Sequence, residues 1–337
     1  MAKFIKQLEL GIDLGTSNTL VYLKKLGIVL QQPSVIAINK RNQSVVAVGE
    51  EAKKMVGRTP QNLIVLRPLS YGIVSDFDAA KLFLEKILQS LKKDYFSFAG
   101  PRAIIGIPLN LTEVQKRGAI DAARSAGFRD VYLVEEPIAA SLGGDLSFED
   151  AKGLLIIDIG GGTTEITVIS LGGIVVGKSI KIAGDRFNQE IINFVRLKYN
   201  LIIGEGQAED AKIKVGSLTD KNRIFDMRGR DAITALPKEV IFTSQDLKEA
   251  LLPSIQEIMD EAKDIINITP PDLLGDIIGQ GIYLTGGSSL LEGLDALFER
   301  ELKARVNRMS DPFYSVARGV GKIIEEFTYY KKLCFSE

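Results

Sequence analysis

Two distant stretches of the chain follow the same local plan: LELGIDLGTSNTLVYL and LLIIDIGGGTTEITVISL. Each runs a β-branched strand into an aspartate, an apolar residue and a glycine, as Ile12-Asp13-Leu14-Gly15 and Ile157-Asp158-Ile159-Gly160. Thr19 and Thr164 follow their aspartates at the same distance, and a second apolar strand, LVYL or ITVISL, comes next. A strand–turn–strand unit that opens both halves constrains the chain to two related lobes. Strand-like and helix-like runs alternate throughout, which is the pattern of α/β architecture. A length of 337 residues suits two domains, or one large α/β unit divided by a cleft.

Local signals place several elements. LELGIDLG and TLVYLKK read as a hairpin, and helical periodicity begins after Asp76–Asp78 in DAAKLFLEKILQSLKK. RAIIGIP reads as a buried strand. Thr112-Glu113-Val114-Gln115 has the form of a capping box opening a helix that ends near Gly127. DVYLVEE is a further strand, and Pro137 fits the first turn of the helix after it. The polar stretch LSFEDAKG separates the halves.

Composition removes whole classes of chemistry. The chain has no histidine and one cysteine, Cys334, so disulfides, ordinary zinc sites and histidine-based triads are excluded. A net charge of -1 gives no global basic field for nucleic acid. No signal peptide is visible in MAKFIKQLELGIDLG, and no run reaches the ~18 apolar residues of a membrane span. The expectation is a soluble cytoplasmic protein with at most a peripheral membrane contact.

GGIVVGKS, residues 172–179, matches the phosphate-loop pattern G-x-x-x-x-G-K-[ST] letter for letter. A genuine phosphate loop joins a strand to a helix and wraps phosphate with backbone N–H groups. Here Ile174, Val175 and Val176 favour a strand, SIKIAGD continues as one, and no helix starts at Lys178. The reading is a hairpin turning at Leu171-Gly172-Gly173, with Lys178 a surface strand residue.

Better phosphate sites are the repeated turns. Gly15 permits a tight turn in DLGTSNT, where the amides and hydroxyls of Thr16, Ser17 and Asn18 can surround an oxyanion. In DIGGGTT, Gly160, Gly161 and Gly162 let backbone approach a second phosphate. Asp13 and Asp158 end the two strands where they can hold a hydrated magnesium ion between the turns.

GIDLGTSNTLVY, VEEPIAAS, DIGGGTTEITVISLGG, AGDRF and LTGGSSLLEGL resemble, in order, the nucleotide segments of the actin superfamily, and most closely those of the MreB family. The resemblance implies an actin-like ATPase fold: two RNase H-like α/β lobes, each with a smaller subdomain, closing on ATP and Mg²⁺ in a cleft. The first lobe would span 1–149 with its subdomain at roughly 34–76, and the second 150–319 with its subdomain at roughly 186–249. Residues 320–337 would return to the first lobe and end in a tail. By the same resemblance Glu136 activates water with Thr163, and Glu209 and Lys212 face the nucleoside. Gly286, Gly287, Ser288 and Ser289 form the turn beneath adenine. Ser17, Ser288 and Asn188 depart from the commoner family residues.

The resemblance further implies self-association into filaments, with paired protofilaments, and slow hydrolysis coupled to assembly. It implies contact with anionic lipid at the inner leaflet of the cell membrane, with membrane-bound morphogenesis proteins as partners and no nucleic acid. Tyr95, Phe96 and Phe98 read as a loop, which the resemblance implies meets the bilayer, and the tail TYYKKLCFSE offers a second aromatic and lysine mixture. A nucleotide-binding scaffold with little turnover and a small-molecule kinase on the same fold are the alternatives.

Overall fold

A computed structural model describes residues 3–97 and 99–336, without the side chains of Lys3, Phe4 and Phe96. Its centre is a pair of five-stranded sheets. The first holds β1 (Gln7–Leu14), β2 (Asn18–Leu23), β3 (Gly27–Pro33), β4 (Ala99–Ile107) and β5 (Asp130–Glu135). Their order is β5-β4-β1-β2-β3, with β1 to β3 an antiparallel meander and β4 and β5 added in parallel. The second holds β6 (Leu154–Ile159), β7 (Thr164–Ser170), β8 (Gly173–Ile180), β9 (Ile282–Thr285) and β10 (Val306–Arg308). Its order, β8-β7-β6-β9-β10, repeats the first with the same strand senses. The repeat in sequence is therefore a repeat in space.

Parallel strands need crossovers, and helices supply them. In the first lobe these are α1 (Phe77–Asp94), capped by Asp76, and α2 (Glu113–Ser125), whose Thr112/Gln115 capping box forms as its spacing predicts. Phe83, Leu84 and Ile87 of α1 pack on Leu10, Ile12 and Ile105 of the sheet. After β5 comes α3 (Glu136–Gly143). The second lobe carries α4 (Gly184–Tyr199), α5 (Glu205–Val215) and α6 (Ser244–Ile268), which close a separate core around Ile157, Ile166, Phe187 and Ile258. Each lobe bears a small three-stranded antiparallel sheet. One is built from Ile36–Asn39, Val45–Val48 and Leu63–Leu66, the other from Leu201–Ile202, Ile224–Asp231 and Pro237–Thr243.

The chain then returns to the first lobe as α7 (Ser315–Glu325). Glycines let it come unusually close. A Cβ on Gly319 would stand 1.7 Å from the Ala139 carbonyl oxygen, and one on Gly143 1.8 Å from that of Ser315. Helices α3 and α7 thus cross backbone against backbone, where no larger residue fits.

The two segments read as aromatic membrane contacts are both tied into structure. Tyr95–Phe96 is a short strand paired in parallel with Lys3–Phe4 rather than a loop, and the half-buried Tyr95 packs on the first core. Phe98 and the Phe96 side chain lie outside the described residues. In the tail, Phe335 exchanges two backbone hydrogen bonds with Leu133 at the open edge of β5, and Tyr329 and Lys332 bond Glu149. Among the described residues, no helix is long and apolar enough to cross a membrane.

Candidate nucleotide site

The rejected phosphate loop is strand β8, antiparallel to β7, and Lys178 forms a surface ion pair with Glu261. The turns after β1 and β6 instead face each other across a cleft of about 490 Å³. Thr16, Ser17 and Asn18 line it from one side, and Gly160, Gly161, Gly162 and Thr163 from the other. The glycines are required by this approach: a Cβ on Gly161 would lie 2.2 Å from Ser17 Oγ, and one on Gly162 2.5 Å from Thr16 Oγ1. The second turn is fixed by bonds to its backbone. Gly160 N–H donates to Thr163 O at 2.9 Å, Asp185 N–H to Gly161 O at 2.7 Å, and Ser288 Oγ to Gly160 O at 2.9 Å.

Asp13 and Asp158 stand at the cleft floor. Burial, joined for Asp13 by the charge of Asp158, lifts each carboxyl to about 7. Gly286, at φ 84°, leaves the space beside Asp158 open, since a Cβ there would stand 2.3 Å from Asp158 Oδ1. Two hard carboxylates beside the facing turns have the donor chemistry of a Mg²⁺ ion that keeps several of its waters, although no cluster of three or more acidic ligands forms among the described residues.

Glu136 opens α3 and also lines the floor. Glu135 occupies the capping position, without a side-chain cap bond, so Glu136 is free of that structural duty. Its carboxyl is held well above the usual range by burial and then by the charges of Glu165, Asp13 and Asp158. Glu165 was not anticipated. It is 2% exposed, and burial foremost lifts it to about 8. Aligning Thr19 with Thr164 puts Glu165 where the first repeat has Leu20, and that mismatch is the signal by which the sequence could have revealed it.

On the far wall, Lys212 Nζ bonds Gly184 O at 3.0 Å and Glu209 Oε2 at 2.8 Å. Asn188 Nδ2 donates to the same Glu209 oxygen at 2.7 Å. Burial opposes the charge of Glu209, yet Lys212 and Asn188 hold its carboxyl below the usual range. The unassigned departure at Asn188 thus has a structural role. Gly286, Gly287 and Ser288 line the cleft, whereas Ser289 is fully buried and donates to Gly286 O, closing that turn. The exposed Lys53 reaches the cleft from the first lobe's small subdomain. Next to the cleft Arg67 joins the two lobes, pairing with Asp185 at 3.0 Å and with Glu205, while Ser17 Oγ, which lines the cleft, donates to Asp185 at 3.3 Å.

Two repeated lobes with facing phosphate turns, an acidic floor and a carboxylate–lysine wall define an actin-like nucleotide-binding protein. The MreB/Mbl protein family matches residues 7–332, and the chain belongs to it. The cell shape-determining protein Mbl of Bacillus cereus is 43% identical over 319 residues, covering 94% of this chain and 96% of Mbl. MreB of Escherichia coli K12 is 40% identical over 335 residues, covering 98% and 96%. The crystal structure of MreB5 of Spiroplasma citri bound to ADP superposes with a TM-score of 0.91 at 34% identity, covering 97% of this chain and 98% of MreB5. The same protein is also known bound to AMPPNP.

Proposed function

We propose that this protein binds ATP in the cleft, hydrolyses it slowly and polymerises into cytoskeletal filaments that set cell shape. The carrying observation is the facing pair of phosphate turns over an acidic floor. Nucleotides bound to MreB5 and the cell-shape role in the names of Mbl and MreB support it. Asp13 and Asp158 would hold Mg²⁺, which supplies charge that offsets the phosphate oxygens.

Phosphoryl transfer to water depends mainly on positioning and charge stabilisation. Thr16, Ser17 and Asn18 present donors from one lobe and the triple-glycine turn presents N–H groups from the other. Glu136, at the floor with a high proton affinity, is the group to accept the water's proton, and Thr163 orients that water. Glu209, pinned by Lys212 and Asn188, presents its remaining acceptor capacity to nucleoside hydroxyls.

Sedimentation and electron microscopy over a concentration series with ATP and Mg²⁺, alongside phosphate release, test this reading. Filaments above a critical concentration are expected. A protein that stays monomeric while phosphorylating a sugar overturns it. We also place a peripheral contact with anionic lipid on the segment 95–98. Liposome co-sedimentation should then fall in a Phe96→Ser/Phe98→Ser variant that still polymerises, and unchanged binding overturns that assignment.

A further inference from the structure

Beyond the charge it adds near Glu136, Glu165 has no task in the chemistry above, yet it sits beside it. It lies on β7 two residues past Thr163 and directly across from Asp158. Oε1 accepts the Leu109 N–H at 2.7 Å in a fully buried bond, while Oε2 is buried without a well-formed bond, Ser179 standing across from the carboxyl on β8. An orphaned buried carboxyl oxygen is unfavourable. The equivalent position of the first sheet is Leu20, paired across from Asp13, so the strand geometry itself does not require a glutamate.

What the glutamate holds is a loop of the other lobe. Strands β4 and β5 run in parallel with Ile107 opposite Glu135. Pro108–Asn110 and Glu136 therefore leave the same end of the first sheet from adjacent strands. The second lobe is shaped to receive this loop. A Cβ on Gly177 would stand 2.7 Å from Leu109 Cδ2, and Gly177 O accepts from Asn110 Nδ2 at 3.4 Å. Gly177 is the second glycine of the rejected phosphate-loop pattern, and what it makes room for is Leu109, not a phosphate. On the loop's other side, a Cβ on Gly72 would lie 2.2 Å from Pro108 Cγ, and Gly72 N–H donates to Thr16 Oγ1 at 2.7 Å.

We propose that Glu165 is a positioning residue for hydrolysis: through the Leu109 N–H it sets the separation between Glu136 on one lobe and the Thr163 turn on the other. The proposal rests on the ATPase reading above.

Phosphate release, ATP affinity and Leu109 amide exchange are to be measured for wild type, Glu165→Gln, Glu165→Ala and Gly177→Ala. Gln keeps an oxygen for the Leu109 N–H, so its turnover stays within about threefold of wild type and Leu109 stays protected. Ala loses roughly 10–100-fold in turnover, the scale of a misplaced reacting group, with ATP affinity within about twofold. Its Leu109 amide exchanges faster. Gly177→Ala shifts Leu109 without altering the carboxyl and lowers turnover with the same unchanged affinity, which separates positioning from loss of fold. Wild-type turnover in Glu165→Ala, or a Gln variant as slow as Ala, overturns the proposal alone. A wild type that releases no phosphate overturns the ATPase reading and the proposal together.

Discussion

Crowding carboxyls at the cleft floor has a measurable effect on the nucleotide-free protein. Asp13 and Asp158 are lifted to about 7 and Glu165 to about 8, in each case by burial first. Unfolded, such groups titrate near 4. Between about pH 4 and pH 8 the folded chain therefore holds more protons than the unfolded one, and its stability declines as pH rises through that window. We expect the nucleotide-free melting temperature to fall between pH 6 and pH 8.5, with at most about 1.4 kcal/mol lost per pH unit for each group. Glu165→Gln should flatten the slope, and a flat wild-type profile would contradict the assignment. Glu136→Ala should lower phosphate release by roughly 10²-fold while leaving ATP affinity nearly unchanged. Lys178→Ala should alter neither, because its partner is Glu261 on the surface. Loss of ATP binding in that variant would restore the phosphate-loop reading.

Among elements, the mouth of the cleft shows a division of charge. The first lobe contributes Arg67 and Lys53, and the second contributes Asp185, Glu205 and Glu209. Asp185 and Glu205 occupy the first turns of α4 and α5, where the helix dipole favours anions. Arg67→Ala should accelerate release of a fluorescent ATP analogue by about 3–10-fold, the yield of a partly exposed ion-pair cluster. Raising salt should accelerate wild type toward the variant's rate, and a salt-independent rate would exclude a role for the Arg67 ion pairs in retaining nucleotide. This is also the scale at which the sequence ceased to be legible. The repeat, the Thr112 capping box and the β7–β8 hairpin were readable because neighbouring residues determine them. Arg67 meeting Asp185, Glu165 meeting Leu109, Tyr95–Phe96 pairing with Lys3–Phe4 and Phe335 closing the β5 edge all join distant segments. No local spacing encodes those contacts. Asn188 was visible as a departure, but its partner Glu209 became evident only when α4 and α5 were brought together.

At the scale of the whole molecule, the lobes meet around the crossing of α3 and α7. Gly319→Ala would place a methyl 1.7 Å from the Ala139 carbonyl oxygen, with backbone on both sides and nowhere to yield. We expect it to destabilise the protein by at least about 3 kcal/mol in urea titration, the upper end for overpacking. Gly118→Ala, where a Cβ meets nothing within 4 Å, should be tolerated. A Gly319→Ala variant as stable as wild type would show that the crossing can loosen. Backbone meets backbone at this crossing, and residues of both lobes pack around it, so it would act as a bearing with little play, about which the lobes could turn more readily than slide. Motion driven at the nucleotide would then leave the subunit as rotation about one axis. In a polymer such rotations add, so a few degrees per subunit would appear over a long filament as a change in its twist.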